Sequence, residues 1–167
     1  GDFPAIPMGA KEEVLASLER RISASGGMTS GEFRLALQEN VYNNIGQVRS
    51  EERLTTGLSG LEELRHEARS VSLQGDTEPK RFKELMSVIE TENLIDLASM
   101  IGTTALLRTE SRGGHFRLDF SEQDDENWMV NVVVFKGDKS DEVKTRIDPV
   151  VEEDFPPPHE VETMESQ

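Results

Sequence analysis

Three arginines, two acids and a histidine crowd the stretch RTESRGGHFRLDF at residues 108–120. His115 beside Asp119 or Asp124 could serve as an acid–base pair or as part of a metal site. Neither spacing matches a standard ligand pattern, and the other two histidines lie far away in the chain. DDEN at 124–127 lacks the alternating acids and central glycine of a calcium loop and reads as a solvated turn. G-x-S-x-G, G-x-G-x-x-G and the P-loop pattern do not occur. The reading from the residues is therefore structural. Arg108, Arg112 and His115 should complement the dipole at a helix C-terminus, with Gly113 or Gly114 as the left-handed end residue. Glu110 can pair with a neighbouring arginine. Capping alone does not account for so many charges beside an apolar helix face, whereas buried ion pairs joining two domains would.

The helices that must position this cluster are legible. Val14, Leu15, Leu18 and Ile22 line a first helix from about Ala10 to Ala24. Thr29 with Glu32 has the form of a capping box. The second helix then carries Phe33, Leu37, Val41, Ile45 and Val48. Ser50, followed by two glutamates, should cap a third helix striped by Leu54, Leu58, Leu61, Leu64, Ala68 and Val71. Pro79 suits the first turn of a fourth, from Phe82 through Leu85, Met86, Ile89, Leu94, Leu97, Ala98, Ile101, Ala105 and Leu106 to about Arg112. So long a helix overhangs its neighbours or breaks near Gly102. Asn40, Asn43 and Asn44 are poor helix formers on the second helix, and exposure is their plainest reading. After Gly114 the pattern changes to period two, and a hairpin is predicted from about Trp128 to Asp148, with Trp128 as a core aromatic.

The predicted fold is mainly α: a three- to four-helix, spectrin-repeat-like bundle with a small C-terminal β-hairpin region and an acidic disordered tail. The expected divisions are an irregular segment at 1–9, the bundle at 10–113, a β region packed on it at 114–150, and an acidic Pro-rich tail at 151–167. Residues 152–167 carry six acids and three consecutive prolines without Lys or Arg. The net charge of −15 disfavours nucleic acid and anionic membranes as partners. The absence of cysteine excludes disulfides and thiolate sites. No apolar run approaches a membrane span, so no direct membrane insertion is expected, and no signal peptide is visible. The chain begins with Gly, which suggests a processed product or a piece cut from something longer.

The order of these features resembles the C-terminal helical domain of the flavoprotein subunit of the succinate dehydrogenase/fumarate reductase family. There a helix ends in R-x-E-S-R-G-x-H-x-R-x-D, which falls here on Arg108, Glu110, Ser111, Arg112, Gly113, His115, Arg117 and Asp119. A G-x-x-R corner falls on Gly46 and Arg49, and a closing Pro-Val on Pro149 and Val150. The strands after Trp128 favour this branch over L-aspartate oxidase. Adenylylsulfate reductase has a similar helical region. Gly114 stands where the family often has Ala, and the β segment is short.

The resemblance implies a domain without catalytic, cofactor or metal residues of its own. The FAD fold and the substrate-holding residues would lie upstream in a parent subunit that moves a hydride between flavin and dicarboxylate. Arg108, Glu110, Ser111, Arg112, His115 and Arg117 would be domain-docking residues against the FAD domain. The parent's electrons would pass to an iron–sulfur subunit, and its place would be cytoplasmic, peripheral at the inner face of the membrane. A stand-alone helical interaction module and a small enzyme built on His115 are the competing readings.

Overall fold

The residues that start each helix do so for local reasons. The computed structural model describes residues 8–137 and 142–150. Helix α1 is Ala10–Ser23. Thr29 then opens α2 (Ser30–Asn40) with a complete capping box: its hydroxyl accepts from the Glu32 amide, and its own amide donates to Glu32 Oε2 at 2.8 Å. The last turn of this helix widens into a π-helical turn, Val41–Ile45. A two-residue strand, β1 (Val48–Arg49), leads to Ser50, whose side chain accepts from the Arg53 amide and starts α3 (Glu51–Glu67). Pro79 lies in the first turn of α4 (Glu78–Leu107).

Helices α2, α3 and α4 enclose the core. Phe33, Leu37, Ile45, Leu61, Leu64, Val71, Val88 and Ile95 are its largest members. Close approach is built in by glycine. A Cβ on Gly57 of α3 would lie 2.8 Å from Asn44 Cβ and Ile45 Cγ1. One on Gly102 of α4 would lie 2.9 Å from Leu58 Cδ2. Gly102 therefore brings α4 against α3 and does not break it. The helix runs unbroken for 30 residues, about 45 Å at 1.5 Å per residue, and stops at Leu107, short of the expected Arg112.

Helix α4 is apolar on two sides. Leu85, Val88, Ile95, Ala98 and Ala105 are buried. Phe82, Met86, Leu94, Leu97, Met100 and Ile101 are exposed, and helical geometry puts all six within an arc of about 120° on the other side. Thr91 and Ser99 are tolerated in the core because each hydroxyl donates to the carbonyl four residues back. The stripes of the other helices divide similarly. That of α3 is in the core except for half-buried Leu58. Val48 belongs to β1 and is exposed, not part of the second helix. Helix α1 buries no residue, and Val14, Leu15 and Ile22 are exposed.

Two small sheets complete the described residues. β1 pairs in parallel with β2 (Phe116–Arg117), with Val48 opposite Phe116 and Arg49 opposite Arg117. A short helix α5 (Asp125–Trp128) precedes the hairpin of β3 (Val130–Lys136) and β4 (Val143–Pro149), antiparallel with Val130 opposite Pro149. The predicted hairpin is present, but Trp128 ends α5 and is not in a strand. DDEN is likewise a helix start, with Asp124 capping the Asn127 amide. The expected acidic tail at 151–167 lies outside the described residues.

Candidate functional site

The last carbonyls of any α-helix lack partners within the helix. At the end of α4 they are met by a residue ten positions beyond Leu107. Arg117, with 1% of its surface exposed, donates from Nη1 to the carbonyls of Ala105, Leu106 and Arg108 at 2.9, 3.1 and 3.0 Å. Its Nε and Nη2 each reach a different oxygen of Asp119 at 2.7 Å. Asp119 Oδ2 also accepts from the Glu51 amide at 2.8 Å, at the N-terminus of α3. A cation thus sits at a carbonyl end and an anion at an amide end, each favoured by the helix dipole it faces. The hydrogen bonds from Arg117 hold the Asp119 carboxyl well below the usual carboxylate range, against the opposing effect of burial. The Phe120 ring lies 4.9 Å from the Arg117 guanidinium carbon.

Glu110 is the centre of a second network and is fully buried. It accepts from Arg108, from Arg112 Nε at 2.8 Å, from Arg112 Nη2 at 3.0 Å and from the Asp124 amide at 2.8 Å. The hydrogen bond from Arg112 is the main reason its pKa falls to about 2, outweighing burial. Arg112 also pairs with Asp125 at 2.7 Å, and its guanidinium is held more firmly protonated by both acids. Arg108 spends its other donors on the carbonyls of Trp128 and Val130, at 3.0 and 2.8 Å, and stacks 5.1 Å from the Trp128 ring centre. Trp128 Nε1 donates to Thr109 Oγ1 at 2.9 Å. The chain leaving α4 is thereby fastened to α5 and to the start of β3.

Ser111 and His115 join the two networks to β1. The Ser111 hydroxyl donates to the Phe120 carbonyl at 2.7 Å and accepts from the Arg117 amide at 2.9 Å. Arg112 and His115 exchange backbone hydrogen bonds across Gly113 and Gly114, with Gly113 at φ +56°. Gly113 is therefore a tight-turn residue and not the end residue of α4. His115 Nδ1 lies 2.8 Å from Arg49 Nη1, and Arg49 Nε donates to the Ile45 carbonyl at 3.1 Å. A guanidinium only donates, so Nδ1 accepts and the ring proton belongs on Nε2. Burial, then the Arg49 charge, pushes the His115 pKa down, so the ring is neutral at pH 7. Burial also lowers the Arg49 pKa from its ordinary value.

This arrangement offers little chemistry of its own. Buried Glu110 and partly exposed Asp119 are each neutralised by arginine, and the serine hydroxyl is committed to a backbone carbonyl. Among the described residues no group of three or more His, Cys, Asp or Glu could hold a metal ion. Asp119 turns to Arg117 and α3, and Asp124 caps α5. The sequence pattern brings Arg108, Glu110, Ser111, Arg112, His115 and Arg117 together as one cluster. The capping role expected of Arg108, Arg112 and His115 falls instead to Arg117. Glu110 and Arg117 are sealed by this chain's own atoms, so any docking role for them is indirect.

Sequence reasoning missed the link from Asp119 to α3 and the purpose of two asparagines. Asn40 Nδ2 donates to the Gly57 carbonyl at 2.9 Å, and Asn44 Nδ2 to Asn40 Oδ1 at 2.8 Å. Exposure holds for Asn43 only. The two glycines of α3, Gly57 and Gly60, were the available signal, since both face this asparagine pair.

A helical core, a small hairpin and a charged junction closed by this chain's own arginines define a helical domain with a β appendage. The comparisons name the class. Residues 34–163 match the family described as fumarate reductase flavoprotein C-term. The chain belongs to this family: it is the C-terminal domain of a succinate dehydrogenase/fumarate reductase flavoprotein subunit.

The succinate dehydrogenase [ubiquinone] flavoprotein subunit, mitochondrial, of Oryza sativa subsp. japonica is 32% identical over 120 residues, 72% of this chain and 19% of that protein. The fumarate reductase flavoprotein subunit of Helicobacter pylori is 34% identical over 98 residues, 59% of this chain and 14% of that protein. This chain thus spans at most about a fifth of these relatives. The fold is also that of a quinol fumarate reductase of E. coli, with a TM-score of 0.75 at 22% identity over 90% of this chain and 26% of that one. Adenylylsulfate reductase of Archaeoglobus fulgidus gives 0.77 at 20% identity, over 89% and 26%.

Proposed function

We propose that this domain docks on the FAD domain of its own subunit and performs no step of the reaction. The observation that carries the reading is the second apolar face of α4. Phe82, Met86, Leu94, Leu97 and Ile101 repeat at helical spacing and are exposed. A face of that size is costly in water and marks an interaction surface. The charged junction supports it from behind by fixing where α4 ends and where β1, β2 and α5 sit. Arg112, Ser111 and His115 retain some exposure and extend the docking surface, while Glu110 and Arg117 hold it in shape. Residues 10–113 and 114–150 act as one unit, because β1 comes from the first and β2 from the second.

The parent subunit would use FAD to move a hydride between flavin and a succinate or fumarate dicarboxylate, and its electrons would pass to an iron–sulfur subunit. Among the described residues no helix is long and apolar enough to cross a membrane. A cytoplasmic, peripheral place at the inner membrane face, through partner subunits, is consistent with that.

The test is to produce the FAD-domain portion of the parent subunit separately and measure its binding to this chain. Leu97→Asp with Ile101→Asp should abolish association while the far-ultraviolet dichroism of the chain is unchanged. Association that survives both substitutions would place the docking surface elsewhere.

A further inference from the structure

Beyond docking, the molecule holds one feature that its place in a flavoprotein subunit does not use. A cavity of about 730 Å³ opens between α1, the end of α3 and the first half of α4. Its volume lies in the range of small-molecule sites, about 300–1,000 Å³.

The lining says what kind of occupant. Arg20 and Arg21 enter from α1, and Arg65 and Arg69 from α3 and the turn after it. Glu92 and Asp96 are the acids of the lining, and Glu62 pairs with Arg65 from beside it at 3.6 Å. Glu92 accepts from Arg21 at 3.0 and 2.7 Å, and Asp96 accepts from Arg65. These pairs orient two of the guanidinium groups. Arg20 and Arg69 have no ion-pair partner among the described residues. In a chain of net charge −15, this is a local excess of positive charge. Guanidinium groups match phosphate and carboxylate oxygens two bonds at a time.

We propose that this cavity binds a small polyanion, a molecule with two or more phosphate or carboxylate groups, bridged between α1 and the bundle. Helix α1 buries no residue, and it is held to α4 by the bonds of Arg21 to Glu92 and by Arg81, which donates to the Ile22 carbonyl at 3.1 Å. An anion shared by Arg20 and Arg69 adds a further tie between α1 and the turn after α3. The ligand therefore closes α1 onto the core.

Inorganic pyrophosphate is the probe. Calorimetric titration into the full chain at low salt should show saturable one-to-one binding that weakens as salt rises, and α1 should gain protection from proteolysis. The double variant Arg20→Gln with Arg69→Gln should bind at least about tenfold more weakly, a loss of about 1.4 kcal/mol. Its melting temperature without ligand should match the parent's, because both side chains are exposed and unpaired. Absence of saturation at millimolar pyrophosphate, or unchanged affinity in the double variant, overturns the proposal. A chain ending at residue 150 should bind equally well. If pyrophosphate binds only after the acidic segment 152–167 is removed, that segment is the natural occupant and a free polyanion is not. All of these readouts use the chain alone, so they stand or fall separately from docking on the FAD domain.

Discussion

Arg117 and Asp119, two residues apart on one short strand and its exit, tie the carbonyl end of α4 to the amide end of α3. The guanidinium fills three carbonyl positions and both carboxylate oxygens at once. Arg117→Ala leaves Asp119 and three carbonyls without this partner. It should cost about 3–5 kcal/mol, read as a shift in the urea midpoint. Arg117→Lys should recover only a minor part, because an ammonium cannot grip both carboxylate oxygens and the helix end. Full rescue by lysine would show that charge alone matters.

Glu110 predicts an acid limb of stability. Its folded pKa of about 2 lies below the ordinary 4.5, so the unfolded chain binds the proton more tightly. The sign follows: this stabilisation is fully present above pH 4.5 and is lost as pH falls toward 2. Asp119, lowered in the same direction by Arg117, adds to the effect. Urea midpoints should fall steadily between pH 5 and 3, and Glu110→Gln should be less stable at pH 7 with a shallower slope in that window. An equal slope in the variant would remove Glu110 as the cause.

His115 predicts a second, milder limb. Its lowered pKa means that protonation favours the unfolded chain, so its contribution is present above 6.5 and declines as pH falls below that value. Burial and the charges of Arg49, Arg117 and Arg108 disfavour a second proton, and the Arg108 backbone partly opposes them. Nuclear magnetic resonance titration should find His115 neutral with the proton on Nε2 at pH 7, and titrating below the ordinary 6.5. A titration midpoint above 6.5 would contradict the hydrogen bond from Arg49.

Gly57→Ala should destabilise by about 1–3 kcal/mol, since the added methyl meets Asn44 and Ile45 at 2.8 Å. Gly31→Ala, in the first turn of α2 with nothing within 4 Å, should stabilise by about 0.4–1 kcal/mol. Thermal melts of the pair separate close packing from helix propensity. The same sign for both would refute the close approach of α3 to the π-helical turn.

Arg112→Ala in the intact subunit should harm assembly more than turnover. The side chain pairs with Glu110 and Asp125 inside this domain. The expected result is less folded, flavin-loaded subunit, with normal turnover per bound flavin. Normal assembly with lost turnover would move Arg112 into the chemistry.

What the sequence settled by itself was local. Thr29 with Glu32, Ser50 and Pro79 set helix starts through bonds that span three or four residues, and the alternation after Trp128 set the hairpin. The motif around Arg112 fixed the family, because side-chain types at fixed spacing survive without any coordinates. The tertiary structure decided which apolar residues of α4 are core, since both faces look alike in sequence and only contact with α2 and α3 distinguishes them. It also decided that α1 stays unburied, and that Arg117, not Arg108 or Arg112, caps α4. That last assignment depends on a turn at Gly113 bringing the chain back across the helix end, a long-range geometry that no helical or strand period encodes.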